Sequence, residues 1–180
     1  MYGMIHRGIR EMVVELKGAE AWSEIEQSCA IGPVELISAV VYDDAMTLAI
    51  VGAASQVLEM DVPTCLKNFG RYWIRFAERG SYGALMNFTG QNLTTFIANL
   101  DRMHASVALA LPQANTPSFS VVGSDGPEIR VRYWSSREGL EPFVVGLLEG
   151  LLDRFGEIGT VTQCDAKSNG TDFVITLADT

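Results

Sequence analysis

The fold is decided by residues 91–111, which read QNLTTFIANLDRMHASVALAL. Their apolar side chains recur at helical spacing, which predicts one long helix that ends before Pro112. The chain has two histidines, and one of them, His104, falls near the middle of the apolar stripe, whereas Asp101 points elsewhere. The stripe itself consists of Leu93, Phe96, Ile97, Leu100, Met103, Val107 and Leu111.

A histidine within an apolar stripe has two interpretations. Most such histidines are hydrogen-bonded members of a hydrophobic core, because polar groups are seldom fully buried without a partner. The alternative is that the histidine binds the metal of a large apolar cofactor. A haem, for example, requires both an apolar wall and one axial nitrogen. The other histidine, His6, is predicted on the flank of the first helix, where it is partly exposed and structural.

The segments before and after this stretch predict different secondary structure. Upstream, the periodicity predicts helices over 3–17, 19–29, 44–58, 63–78 and a short segment between Gly83 and Gly90, with Asp43 as a cap. Downstream, alternating residues predict strands at 118–122, 128–135, 160–164 and 172–177, turns at 123–126 and 167–170, and a helix over 141–155.

This order of elements predicts an α+β fold in a single domain of 180 residues. A helical N-terminal subdomain, about 1–62, is expected to cap a C-terminal subdomain, about 63–180. The second subdomain is expected to hold an antiparallel sheet together with helices.

Composition excludes several classes of function. Hydrophobic residues make up 48% and charged residues 19%, which favours a packed core over disorder. The net charge of −9 repels a phosphate backbone, so no nucleic-acid binding is expected. No stretch approaches the roughly 18 apolar residues of a membrane span, and the first residues lack the apolar centre of a signal peptide. The three cysteines are far apart and predict no disulfide framework, so we expect a cytoplasmic protein without a membrane partner.

A second candidate site is the run Tyr133-Trp134-Ser135-Ser136-Arg137. If the strand continues through it, alternation places Tyr133, Ser135 and Arg137 on one face. Two hydroxyls and a guanidinium suit carboxylates, such as haem propionates, because arginine forms bidentate pairs with them. An ordinary exposed strand face explains the same pattern without a ligand.

Taken together, these segments resemble the haem nitric oxide/oxygen-binding (H-NOX) domains. The resemblance covers essentially the whole chain. Its most specific parts are the Tyr133-x-Ser135-x-Arg137 element and the position of His104, which lies 29 residues before that tyrosine. The remaining similarity is carried by MYGMIHRGIREMV, LAIVGAASQVLEM, FGRYWIRFAERGSYG, NLDRMHASVAL and PFVVGLLEGLLDRFG.

The resemblance implies a haem b, iron protoporphyrin IX, between the two subdomains. In the family the histidine of the LDRMH segment ligates the iron, which matches His104. The family's tyrosine, serine and arginine bind the propionates, which matches Tyr133, Ser135 and Arg137. A proline that contacts and distorts the macrocycle matches Pro117. The predicted cofactor pocket further includes Ile5, Trp73, Phe143 and Leu147.

The resemblance also implies a gas sensor and not an enzyme. In the family, nitric oxide binds the iron, weakens the bond to the histidine and shifts the subdomains. A separate partner responds to that shift, and in bacteria it is usually a histidine kinase or a cyclic-di-GMP enzyme.

Gas selectivity is predicted from one position. Family members that hold oxygen carry a tyrosine in the segment that matches PFVVGLLEG, where this chain has Phe143. We therefore expect complexes with nitric oxide and carbon monoxide but no stable oxygen complex, with Trp73 and Tyr72 as the remaining candidate hydrogen-bond donors. Two alternatives stay open, a haem protein that binds or carries oxygen and a non-haem binder or enzyme for a small acidic ligand.

Overall fold

The computed structural model describes residues 1–32, 36–167 and 170–178 of the chain. These residues form two compact units, Met1–Phe69 and Gly70–Thr180. The subdomain limit suggested by the sequence, near residue 62, stays a prediction.

The first unit is helical. It contains α1 (Gly3–Lys17), α2 (Ala19–Ser28) and α3 (Asp44–Val57), and α4 (Val62–Arg79) begins in it. Asp43 caps α3 as predicted, because its carboxylate accepts a hydrogen bond from the Ala45 amide at 2.9 Å. The core of the unit is built from Ile9, Met12, Val13, Trp22, Ile25, Ile50, Val51 and Ala54.

His6 is part of this core, so the prediction of a partly exposed position was wrong. Its side chain is 0% exposed, and Nε2 lies 2.7 Å from the hydroxyl of Thr47 on α3. The imidazole also packs against the ring of Tyr42, with 5.3 Å between the ring centroids. The spacing of apolar residues along α1 could not reveal a polar partner that another helix supplies.

The second unit contains the rest of α4, four further helices and the sheet. The helices are α5 (Gly83–Thr89), α6 (Leu93–Ala98), α7 (Leu100–Ala110) and α8 (Glu141–Phe155). The strands are β1 (Ser118–Asp125), β2 (Glu128–Trp134), β3 (Gly159–Lys167) and β4 (Gly170–Leu177). All neighbouring strands are antiparallel, in the order β1-β2-β4-β3, which confirms the predicted α+β class.

The helix predicted over 91–111 is two helices, α6 and α7, that meet at Asn99. The backbone amide of Asn99 is shared between the carbonyls of Thr95 and Phe96, and its side-chain amide donates to the carbonyl of Thr89 at 2.9 Å. Asparagine readily forms such local hydrogen bonds in place of the helical ladder. The break separates the buried residues of α6 from the half-buried stripe that carries His104 on α7.

The hairpin between β1 and β2 turns later than predicted. The strands extend to Asp125 and Glu128, so the turn is at Gly126 and Pro127 instead of 123–126. A bulge between Val121 and Gly123 accommodates the longer strand. In the second predicted turn, 167–170, residues 168 and 169 lie outside the described part of the chain.

One face of the sheet forms the core of the second unit. Every second residue of β2 points into it, and these side chains pack on α6 and α8. The buried sheet residues are Phe119, Ile129, Val131, Tyr133, Phe173 and Ile175, and their helical neighbours include Phe96, Ile97, Val144, Leu148 and Leu151.

Within the described residues, no individual helix has the length and apolar character needed to cross a membrane. The sharply bent pair Asp44–Val57 and Val62–Arg79 meets those criteria only when the two helices are taken together.

Candidate functional site

His104 occupies the second turn of α7, on the half-buried side of the helix. Its Nδ1 atom lies 2.9 Å from the backbone carbonyl oxygen of Pro117, and its ring lies 6.1 Å from that of Phe119. Since a carbonyl oxygen only accepts hydrogen bonds, Nδ1 carries the proton in this contact. In the neutral imidazole the lone pair is then on Nε2, which has no hydrogen-bond partner among the described residues.

The surroundings of His104 favour that neutral form. Burial lowers the pKa of the imidazole, and the hydrogen bond to Pro117 and the charge of Asp101 oppose that shift only in part. Metals bind the neutral imidazole, and a metal-bound histidine usually donates its other N–H to a carbonyl or carboxylate. The ring is therefore held in the protonation state and tautomer that an iron ligand requires.

A second set of contacts attaches α7 to the start of β1. The carboxylate of Asp101 accepts hydrogen bonds from the hydroxyl of Ser118 at 2.6 Å and from the backbone amide of Phe119 at 2.7 Å. Pro117, whose carbonyl binds His104, immediately precedes these two residues. Asp101 was not predicted as a residue of the site, although its place one helical turn before the histidine was a usable signal.

Tyr133 is the buried member of the predicted carboxylate site. Its side chain is 5% exposed, and its ring lies 5.3 Å from that of Phe119 and 6.3 Å from that of Phe173. Burial raises the pKa of the phenol, and the hydrogen bond with Ser135 opposes the rise. Tyr133 therefore stays protonated at neutral pH and is able to donate.

Strand alternation does not bring Tyr133, Ser135 and Arg137 together, so that part of the prediction was wrong. β2 ends at Trp134, and the following residues form a bend. Within the bend the Ser135 hydroxyl accepts a hydrogen bond from the Arg137 amide at 3.0 Å. This local hydrogen bond of a serine keeps Ser135 and Arg137 close together beyond the end of the strand.

Arg137 joins this bend to the loop that precedes β1. Its guanidinium donates from Nη1 to the backbone carbonyl of Asn115 at 2.8 Å. The side-chain amide of Asn115 in turn donates to the hydroxyl of Ser136 at 2.7 Å. The loop that carries Pro117 is therefore linked both to His104 and to the Tyr133–Arg137 bend, a role for Asn115 that the sequence did not suggest.

Three of the predicted pocket residues lie on α4 and α8. Trp73, Phe143 and Leu147 are each half-buried, and the Trp73 ring is 5.3 Å from that of Phe76. The helices touch closely, because a Cβ on Gly70 would lie 2.1 Å from the Phe143 carbonyl oxygen.

Ile5 is half-buried on α1 of the first unit. The structure thus groups His104, Pro117, Tyr133, Ser135 and Arg137 through hydrogen bonds and ring contacts. The pocket roles of Ile5, Trp73, Phe143 and Leu147 stay predictions.

The residues fit a haem on two grounds. The available Nε2 of His104 on a half-buried apolar helix face is the donor that a haem iron takes from a protein. Tyr133, Ser135 and Arg137 supply two hydroxyls and a permanent cation, the donor set that binds carboxylates. The chemistry of the site therefore suits an apolar metal complex with acidic substituents.

Comparison with known proteins also indicates a haem-binding domain. The model of a family described as Haem-NO-binding matches residues 2–163. The soluble guanylate cyclase subunit beta-2 of Rattus norvegicus is 40% identical over 91 residues, which are 50% of this chain and 13% of that protein. The soluble guanylate cyclase gcy-33 of Caenorhabditis elegans is 24% identical over 177 residues, which are 98% of this chain and 19% of that protein. The chain thus spans only a small part of the length of these relatives.

Solved structures share the fold. An H-NOX protein from S. oneidensis superimposes with a TM-score of 0.88 at 22% identity, covering 99% of this chain and 97% of that one. An oxygen-binding H-NOX domain related to soluble guanylate cyclases, in its oxygen complex, gives a TM-score of 0.81 at 20% identity, covering 99% and 96%.

Proposed function

Because the chain belongs to the Haem-NO-binding family, whose members are the H-NOX domains, we propose that it is a haem-based nitric oxide sensor. H-NOX domains bind haem and are sensor domains of guanylate cyclases and bacterial proteins, not catalytic domains. The observation that carries the proposal is the 2.9 Å hydrogen bond between His104 Nδ1 and the Pro117 carbonyl, which leaves Nε2 as a ligand.

His104 is the residue that we propose would hold a haem b, through its Nε2 atom. When bound, the ferrous haem supplies the iron atom that takes up nitric oxide. The histidine contributes a neutral imidazole whose donor strength is increased by its hydrogen bond to Pro117. Pro117 is the residue that we propose lies against the macrocycle, since its carbonyl is already fixed beside the ligand.

Tyr133, Ser135 and Arg137 are the proposed propionate-binding residues. Arg137 provides a permanent charge and a planar fork of donors, so we assign the largest contribution to it. The buried phenol of Tyr133 keeps its proton and adds a directed hydrogen bond. Ser135 accepts a hydrogen bond from the Arg137 amide and so keeps these two residues in register.

Selectivity for nitric oxide over oxygen is assigned to the segment that begins with Phe143. A hydrogen bond to a buried charged group is worth about 1.5–3 kcal/mol, or about ten- to a hundredfold in affinity. Phenylalanine at 143 cannot donate one, whereas nitric oxide binds ferrous iron tightly without it. Trp73 and Tyr72 are the donors whose involvement would reverse this selectivity.

The partner is proposed to be a separate signalling protein, a histidine kinase or a cyclic-di-GMP enzyme. The support is the position of His104 on α7, because any displacement of the histidine acts directly on that helix. Asp101 attaches the first turn of α7 to β1, while Leu109 near its other end is 87% exposed.

The test begins with the absorption spectrum of the purified ferrous protein. We expect a strong Soret band that is lost in His104→Gly and restored when free imidazole is supplied. Full haem retention by His104→Gly without imidazole would contradict the assignment of the ligand, and a colourless, folded wild-type protein would favour the non-haem alternative. Exposure of the ferrous protein to air then separates a nitric oxide sensor from an oxygen carrier, which would show a stable oxygen complex.

A further inference from the structure

Both carboxylate oxygens of Asp101 are used to bind the start of β1. Oδ2 accepts from the Ser118 hydroxyl at 2.6 Å, and Oδ1 accepts from the Phe119 amide at 2.7 Å. A surface aspartate at the start of a helix often needs no such partners, because the helix dipole alone stabilises it. Here the carboxylate joins α7 to β1, because Ser118 and Phe119 lie 17 and 18 positions after Asp101 in the chain.

The contacts of Asp101 and His104 form one continuous set. The two residues are three positions apart on α7, so their side chains leave neighbouring points of the same helix face. Their partners, Pro117, Ser118 and Phe119, are consecutive. Three hydrogen bonds thus align the first turns of α7 with the last residue of the loop and the first two of β1.

We propose that Asp101 is a positioning residue, which holds the Pro117 carbonyl against His104 Nδ1 and so fixes the orientation and tautomer of the imidazole. This inference rests on the proposed role of His104 as the iron ligand. Its physical basis is that the carbonyl belongs to a loop residue, and loop residues move unless other contacts restrain them. Asp101 restrains the two residues that follow, which leaves the carbonyl little freedom.

The side-chain chemistry predicts a graded response to substitution. Asp101→Ala removes both acceptors and leaves the Phe119 amide without its partner. Asp101→Asn keeps the shape, since its oxygen accepts from Phe119 and its amide donates to the Ser118 hydroxyl, which is also able to accept. Ser118→Ala removes only one of the two hydrogen bonds. The expected order of effect is therefore Asp101→Ala first, Ser118→Ala second and Asp101→Asn last.

The first experiment uses the protein without haem. The ¹⁵N NMR signals of the His104 ring distinguish a protonated from an unprotonated nitrogen, and amide hydrogen exchange at Phe119 reports the β1 contact. We expect a single tautomer with Nδ1 protonated in the wild type, a mixture in Asp101→Ala and the wild-type tautomer in Asp101→Asn. Unchanged ring signals in Asp101→Ala would overturn the proposal, and if that variant does not fold, Ser118→Ala decides by the same criterion.

The second experiment uses the haem-loaded protein. Loss of a hydrogen-bonding partner of a metal ligand typically weakens metal binding about ten- to a hundredfold. We expect ferrous haem to dissociate from Asp101→Ala at least about tenfold faster than from the wild type, together with a shift of the iron–histidine stretching frequency. An unchanged stretching frequency would contradict the positioning role.

Asp153→Ala is the matched control, because it removes a carboxylate that binds Arg71 elsewhere in the same unit. An equal effect in this control would show general loosening of the unit and would also overturn the proposal. If the wild type takes up no haem, the proposed function fails, while the ring signals of the haem-free protein still decide whether Asp101 orients His104.

Discussion

The buried imidazole of His6 makes the first unit sensitive to acid. Its side chain is 0% exposed, Nε2 bonds the Thr47 hydroxyl, and Nδ1 is buried without a hydrogen-bond partner among the described residues. The pKa of His6 is lowered from 6.5 to about 4, mainly by burial, with a further decrease from the nearby N-terminal ammonium and an opposing effect of Asp44. Protonation in the folded state is therefore strongly disfavoured.

The sign and size of the effect follow from proton linkage. Between the two pKa values the unfolded chain binds a proton that the folded chain rejects, so stability falls as the pH drops from about 6.5 towards about 4. One pKa unit corresponds to about 1.4 kcal/mol, which gives about 3 kcal/mol for the whole transition. Between neutral pH and about pH 5 the expected loss from His6 is about 2 kcal/mol.

Urea unfolding of the wild type and of His6→Gln at about pH 7 and about pH 5 measures this contribution. Glutamine is able to bond Thr47 and does not titrate, so the other acid-sensitive groups cancel in the comparison. We expect the wild type to lose about 2 kcal/mol more than His6→Gln between the two conditions. Equal losses in both proteins would refute the argument that burial suppresses protonation of His6.

Three further predictions concern the second unit, and the last of them uses Gly52 of the first unit as a reference. Arg137→Ala should lower haem occupancy more than Ser135→Ala, because only arginine carries a permanent charge; equal occupancy in the two purified variants would contradict this ranking. Phe143→Tyr should allow an oxygen complex to form in air-exposed ferrous protein, and an absorption spectrum that shows this complex would support the assignment of gas selectivity to position 143. A stable oxygen complex in the wild type would disprove the proposed selectivity. Gly150→Ala should destabilise the protein, since a Cβ there would lie 2.8 Å from the Ile74 side chain and 2.9 Å from the Arg71 carbonyl oxygen. Gly52→Ala, where a Cβ meets open space within a helix, should instead stabilise it by about 0.5–1 kcal/mol in thermal or urea unfolding, and the opposite order of the two variants would show that these contacts do not govern packing.

Elements with strong periodicity were predictable from the sequence, and their ends depended on side-chain chemistry. The pattern of α8 predicts Glu141–Phe155 without error, because Pro142 marks its start and Gly156 its end. The break at Asn99 was not predictable in this way, since the apolar stripe continues through it and the hydrogen bond from its side chain to Thr89 depends on a segment outside the helix.

The sequence singled out the residues of the candidate site but not the contacts that connect them. His104 and the Tyr133–Arg137 run were found from spacing and from the resemblance to H-NOX domains. The bend after Trp134 was not, because it depends on hydrogen bonds of Ser135 and Asn115 that no periodicity records. Asp101 was misjudged for a related reason: a helix projection shows which way a residue points, but not which strand passes beside it.

The hydrogen bond from His104 to Pro117 closes a loop between residues 13 positions apart. The entropy of closing such a loop grows only with the logarithm of its length, so two inserted residues would change the folding free energy by about 0.2 kcal/mol or less. The same insertion would displace the carbonyl that orients the histidine, an interaction that typically changes metal affinity by about ten- to a hundredfold. The connection between α7 and β1 is therefore a segment in which evolution is free to vary the properties of the proposed ligand, His104, while the stability of the fold stays almost constant.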